Sequence, residues 1–149
     1  MVQVLILCTG NSVRSQMAEG YLNFYANKRA IVFSAGLQGS TVNPYAIQVM
    51  AEDNIDLSEH TSKSMKTFTG IEFDYLITVC DTPESAFLDT LSYKEWRHFP
   101  MPDPSETNET DEEIILSQFR KTRELIKHVV LKFIGQELFK STSDEALAN

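Results

Sequence analysis

Long apolar runs, basic tracts and cysteines are what this sequence mostly lacks. No apolar stretch approaches the roughly 20 residues that a bilayer-spanning helix needs, so a membrane-embedded role is not expected. The opening residues, MVQVLILC, lack a basic leader and a small-residue cleavage site, and read as a buried strand rather than a signal peptide. The expected address is therefore the cytoplasm. With a formal net charge of −8 and no cluster of lysine or arginine, the chain would be repelled by nucleic acid and by acidic membrane surfaces. Any anion site on such a protein must make its positive potential locally. Only two cysteines occur, Cys8 and Cys80, far apart in sequence. In a cytosolic chain they read as reactive or buried thiols, not as a structural disulfide. The three histidines have no metal-ligand spacing with one another or with the cysteines, and His60 and His98 read as structural or surface residues.

What is present is a chain of 149 residues, 42% hydrophobic, enough for one domain with a proper core. We place that domain at 1–139, with a flexible polar tail at 140–149 and no internal repeat. Val2 to Leu7 is a short apolar run rich in branched residues, as expected of a central parallel strand buried on both faces. A helix follows from about Ser15 to Ala26, with Met17, Ala18, Tyr21, Leu22 and Tyr25 at helical spacing. Ala30 to Ala35 reads as a second strand. Asn43-Pro44 is a helix start, an N-cap followed by proline in the first turn. Phe73 to Val79 is a further buried strand, and Trp96 to Phe99 a weaker one. A long helix begins at Thr110, where a capping box between Thr110 and Glu113 is expected. Its buried stripe would be Ile115, Phe119, Ile126, Val130 and Phe133. Strands alternating with helices indicate an α/β fold, a doubly wound parallel sheet whose ligands sit beyond the carboxyl ends of the strands. Cys8, Cys80 and the loop at Asp103 all follow expected strands, which brings three distant segments to one edge.

The segment with most chemistry is Cys8-Thr9-Gly10-Asn11-Ser12-Val13-Arg14-Ser15, a C-x5-R loop between a strand and a helix. A tetrahedral dianion needs several N–H donors converging on its oxygens. A tight loop feeding a helix N-terminus can aim the successive amides of Thr9 to Ser15 inward. Arg14 adds a planar, permanently charged fork for two more oxygens. The same field favours the thiolate of Cys8, which makes it a nucleophile. Asn11 and Ser15 are the polar groups best placed to hold the loop and to hydrogen-bond the sulfur.

These residues carry a resemblance. CTGNSVRSQMAEG, SAG at Ser34 to Gly36, VNPYAI at Val42 to Ile47, HTSKS at His60 to Ser64 and FDYLITVCD at Phe73 to Asp81 are similar to arsenate reductases of the low-molecular-weight protein tyrosine phosphatase superfamily. The resemblance runs from Val2 to about Arg123. It implies a four-stranded parallel sheet with helices on both faces, Cys8 as nucleophile and the Cys8–Arg14 loop as cradle for arsenate or phosphate. It also implies that Asp103, before Pro104, gives a proton to the leaving oxygen. Cys80 would attack the arsenic adduct on Cys8, releasing arsenite and leaving a Cys8–Cys80 disulfide. A thiol system, whether thioredoxin, glutaredoxin with glutathione or another low-molecular thiol, would re-reduce a monomeric enzyme that holds no cofactor of its own.

The departures from that family are specific. Its usual third cysteine, seven residues beyond the second, falls at Phe87, so the reductant is not named by the sequence. Val13 replaces a frequent cysteine within the loop. Pro102-Asp103-Pro104 resembles the phosphatases more than the reductases, yet Ser105-Glu106 follows where phosphatases carry aromatic residues for a phosphotyrosine ring. Some reductases bind a monovalent cation near positions matching Asn11, Glu19 and Ser34. Here the last ligand position is Lys63, whose ammonium would stand in for the cation, so no metal is expected. Two further readings stay open: a phosphate-monoester hydrolase using Cys8, Arg14 and Asp103, and a non-enzymatic oxyanion sensor, which would leave Asp103 and the thiolate without a purpose.

Overall fold

The computed structural model describes residues 1–81 and 88–139. The expected tail at 140–149 and Phe87 lie outside the described residues. Four strands, β1 (Val2–Cys8), β2 (Ala30–Gly36), β3 (Glu72–Thr78) and β4 (Ser92–His98), form one parallel sheet in the order β2-β1-β3-β4. Among the described residues, three α-helices, α1 (Arg14–Ala26), α2 (Pro44–Ala51) and α3 (Glu112–Phe133), pack with the sheet, with a 3-10 turn at Met65–Phe68 and a π-helical turn at Ile134–Leu138.

β1 is central, between β2 and β3, and core side chains cover both of its faces, from which its continuous apolar run follows. Val4, Ile6 and Cys8 face one core with Met17, Tyr21, Leu22, Phe119, Ile126 and Val130 of α1 and α3. Leu5 and Leu7 face the other, with Ala35, Met65, Phe68, Phe73 and Leu76. Alternation along one strand thus feeds two layers. Strand order reverses direction at β1, where the chain goes first to β2 and then crosses to β3. That switch point lies at the Cys8 end.

α1 is buried almost all round from Arg14 to Leu22, because the sheet covers one side and α3 the other. It stops at Asn27, which adopts a left-handed backbone, φ 48°. α2 is capped as expected: Asn43 Oδ1 accepts from Tyr45 N at 2.8 Å, with Pro44 in the first turn. The cap of α3 is a correction. Asp111, not Thr110, takes the role, its Oδ1 accepting from Glu113 N at 2.9 Å. Both residue types cap well, and the i→i+4 ladder begins one residue later than the box implies, with Ile115 N on Asp111 O. The stripe of α3 includes Leu116 and Thr122, while Ile115 is only half-buried.

β4 begins at Ser92 rather than Trp96. It is an edge strand that is mostly exposed, so its sequence, SYKEWRH, has little apolar signal to read. α3 is tied to the end of α2 by Arg120 and Arg123, which both reach Glu52, and Lys127 reaches Asp53.

Candidate active site

The sheet's carboxyl edge gathers the C-x5-R loop after β1, Cys80 after β3 and Asp103 after β4. The loop leaves β1 at Cys8 and enters α1 at Arg14. Its backbone is fixed from outside as well as within. Leu37 N donates to Thr9 O at 2.8 Å and Asn43 N to Ser12 O at 3.0 Å, while Ser62 Oγ donates to Gly10 O at 3.0 Å. Gly36, at the end of β2, backs directly onto it: a Cβ there would meet Asn11 N and Gly10 C at 2.7 Å and Thr9 O at 2.8 Å. Only a residue without a side chain lets β2 approach so closely.

Asn11 is the loop's pivot. It has φ 52°, in the left-handed region where asparagine is tolerated but strained, and it is fully buried. Its side chain is saturated. Nδ2 donates to Ser15 Oγ at 2.8 Å and to Ser34 Oγ at 2.9 Å. Oδ1 accepts from Lys63 N at 2.8 Å and from Gln16 Nε2 at 3.0 Å. Because Ser15 Oγ accepts from Asn11, its own hydrogen is free for Cys8 Sγ, 2.8 Å away. Of the two residues expected to hold the loop and bond the sulfur, Ser15 contacts it directly, while Asn11 holds the loop and reaches the sulfur only through Ser15.

Arg14 is buried at 4% exposure, and its guanidinium is aimed rather than free. Nη1 donates to Met101 O at 2.8 Å, and Nη2 lies 3.6 Å from Asp103 Oδ2. The other carboxylate oxygen of Asp103 accepts from Ser105 N at 2.9 Å and from Ser105 Oγ at 2.7 Å. One oxygen is thus spent on its own turn and the other points over the loop's arginine. Beside it, a recess of about 240 Å³ is lined by Pro102, Pro104, Glu106, Gln118, Lys121 and Leu125 among others, with no aromatic wall among the described residues.

Cys8 and Cys80 are both buried free thiols of the same core. Leu7 pairs with Thr78, and Val79 N donates to Leu7 O at 3.0 Å. Cys80 stands two residues past the end of β3, at the sheet edge where β1 ends in Cys8. Burial pushes the Cys80 thiol up, partly offset by the Arg14 charge, while Cys8 adds to the rise. Those electrostatic partners independently place Cys80 at the loop.

Several supporting residues were not legible in the sequence. Gln16 Nε2 donates to Asn11 O at 3.2 Å and to Thr61 O at 3.1 Å besides Asn11 Oδ1, and His60 Nδ1 lies 2.9 Å from both Gln16 Oε1 and Glu19 Oε2. Of the positions linked with a cation, Asn11 and Ser34 bond to each other, Glu19 pairs with His60, and the Lys63 ammonium donates to Thr61 O at 3.2 Å.

A family model described as low molecular weight phosphotyrosine protein phosphatase matches residues 3–144. An arsenate reductase of Halalkalibacterium halodurans is 39% identical over 123 residues, 83% of this chain and 88% of that protein. One from Shouchella clausii is 33% identical over 130 residues, 87% of this chain and 93% of that protein. Among solved structures, an arsenate reductase in the phosphate binding state superposes with a TM-score of 0.72 at 30% identity, over 91% of this chain and 98% of that one. A low molecular weight protein tyrosine phosphatase from T. tengcongensis shares the fold, with a TM-score of 0.71 at 22% identity over 91% of this chain and 99% of that one.

Proposed function

This chain belongs to the low molecular weight phosphotyrosine protein phosphatase family, and from that premise we propose that it is an arsenate reductase working through Cys8 and Cys80. The observation that carries the reading is the second buried thiol, one strand over from the oxyanion loop, which hydrolysis of a phosphate ester does not need.

Arsenate sits in the Thr9–Ser15 loop, its oxygens met by backbone N–H groups and by the Arg14 fork. The Cys8 thiolate, steadied by the Ser15 hydroxyl, attacks arsenic(V) and forms the S–As bond. One arsenate oxygen leaves as water after taking a proton, for which Asp103 is the donor. Cys80 then attacks the Cys8 sulfur. The S–S bond forms, the S–As bond breaks, and its electron pair stays on arsenic, which departs as arsenite. Two thiols have been oxidised and one arsenic reduced by two electrons. Since the chain holds no third cysteine, an external thiol of the thioredoxin or glutaredoxin–glutathione kind must open the Cys8–Cys80 bond itself. No resident cofactor is required. Among the described residues, no group of three histidines, cysteines or acids is placed to hold a metal, and no helix is long and apolar enough to cross a membrane.

A second activity rests on the same loop. Cys8, Arg14 and Asp103 make a complete set for phosphate-monoester hydrolysis without Cys80, so slow cleavage of aryl phosphates is expected alongside reduction. The deciding experiment measures arsenate turnover beside aryl-phosphate hydrolysis while each thiol reductant is supplied in turn. Sustained arsenite release with one of them supports the reductase. Hydrolysis alone, with no arsenite under any reductant, overturns it.

A further inference from the structure

The two carboxylate oxygens of Asp103 stand in unequal positions. Oδ1 accepts both from Ser105 N at 2.9 Å and from Ser105 Oγ at 2.7 Å. A carboxylate oxygen offers two lone-pair sites, so Oδ1 is filled, and a proton can settle there only by breaking one of those bonds. Oδ2 is the oxygen on the side of the Arg14 fork, 3.6 Å from Nη2. Other contacts steady the segment without orienting the carboxyl. Pro102 and Pro104 flank Asp103, Met101 O is held by Arg14 Nη1, and Glu106 N donates to Asp103 O at 3.2 Å. The Asp103 side chain is 22% exposed, so packing alone does not lock it. Ser105 is itself exposed and serves no core. It also stands where the phosphatases of the resemblance carry aromatic residues, so its hydroxyl is a feature of this chain.

We propose that Ser105 is a positioning residue for proton transfer, its hydroxyl filling Oδ1 of Asp103 so that the transferable proton sits on Oδ2, toward the anion loop. In ester hydrolysis the P–S bond to Cys8 forms as the ester's P–O bond breaks. The Oδ2 proton passes to the departing oxygen and leaves Asp103 ionised. The same oxygen then takes a proton from the water that attacks phosphorus, the P–S bond breaks, and the Cys8 thiolate is restored. Without the Ser105 hydroxyl, Oδ1 has an open site, the proton can rest on the far oxygen, and the carboxyl can turn. The inference rests on Asp103 being the acid, and its test separates the two.

The experiment compares phenyl phosphate with p-nitrophenyl phosphate, whose leaving group needs little protonation, in the wild-type chain and in Ser105→Ala, Ser105→Thr and Asp103→Asn. Ser105→Ala should lower kcat/KM for phenyl phosphate about tenfold, the worth of one hydrogen bond to a charged group. For p-nitrophenyl phosphate the loss should stay under about twofold. Inhibition by inorganic phosphate should also change less than about twofold, because Ser105 does not hold the anion. Ser105→Thr keeps the hydroxyl and should stay within about twofold of wild type for both esters. In an Asp103→Asn background, Ser105→Ala should add almost nothing, because the proton it positions is gone. Wild-type cleavage of phenyl phosphate by Ser105→Ala overturns the proposal, as does an equal loss for both esters. So does a threonine variant no better than alanine, or an additive loss in the double variant. An alanine variant that does not fold also overturns it, assigning Ser105 to the structure of the turn instead. If Asp103→Asn cleaves phenyl phosphate at the wild-type rate, or the wild-type chain cleaves neither ester, the acid reading itself falls and the proposal with it.

Discussion

Replacing Gly36 with alanine should disable the site from behind while leaving the fold standing. The new Cβ would lie 2.7 Å from Asn11 N and Gly10 C, whereas ordinary contact begins at 3.4 Å. Both neighbours are backbone, so no side chain can rotate away, and an interior packed to crystal density offers no slack. The loop must therefore retreat by about 0.7 Å, or β2 must slip from its pairing with Cys8. Overpacking of this kind costs about 1–3 kcal/mol of stability, which a domain of this size survives. The catalytic cost is of similar size but falls on turnover, because displacing a reacting group by about 1 Å can lose on the order of a hundredfold in rate. We expect aryl-phosphate kcat/KM to fall about a hundredfold and phosphate binding to weaken in step, with circular dichroism and cooperative unfolding retained. A variant that unfolds a few degrees early yet turns over normally would refute the claim that Gly36 sets the loop's position.

Arg14→Lys should cost about a hundredfold in both activities, since a point charge cannot replace a fork already oriented by Met101 O and facing Asp103. Near-normal turnover would place the anion elsewhere. Asp103→Asn should slow aryl-phosphate hydrolysis about a hundredfold, with the loss shrinking as the leaving group improves. An equal loss for every leaving group would reduce Asp103 to a turn residue holding Ser105. The disulfide-forming step should depend on pH through Cys80. Burial pushes that thiol up, so it is protonated near neutrality and its thiolate fraction grows as pH rises. Single-turnover arsenite release should therefore climb with pH past about 8.5, the ordinary thiol value. A plateau already reached at pH 7 would contradict it.

How far the sequence carried depended on which physical signal each residue gives. β1 and β3 are buried on both faces, so their apolar runs announce them, and the two cysteines that follow them could be placed at one edge. The loop itself was legible because anion chemistry demands an unusual set of residues in a short span. β4 was half missed: an edge strand with solvent on one side has almost no apolar run. The cap of α3 was misplaced by one residue because Thr110 and Asp111 have nearly the same chemistry and only backbone geometry chooses. Gln16 and His60 lie in segments that carry the resemblance, but their contact was not legible, since a bond between residues 44 apart follows no periodicity. His60 read as structural or surface, and it is the contact with buried Gln16 and Glu19 that shows its tie to the loop.

The central claim is that Cys8 and Cys80 act as a pair. Fully reduced protein, freed of small thiols, is mixed with arsenate in the absence of any reductant, then quenched by alkylation and mapped by mass spectrometry. The two-cysteine mechanism predicts one arsenite released per chain and a single Cys8–Cys80 disulfide, with Cys80→Ser releasing none. Arsenite release without that disulfide, or arsenate reduction by Cys80→Ser at the wild-type rate, would contradict it.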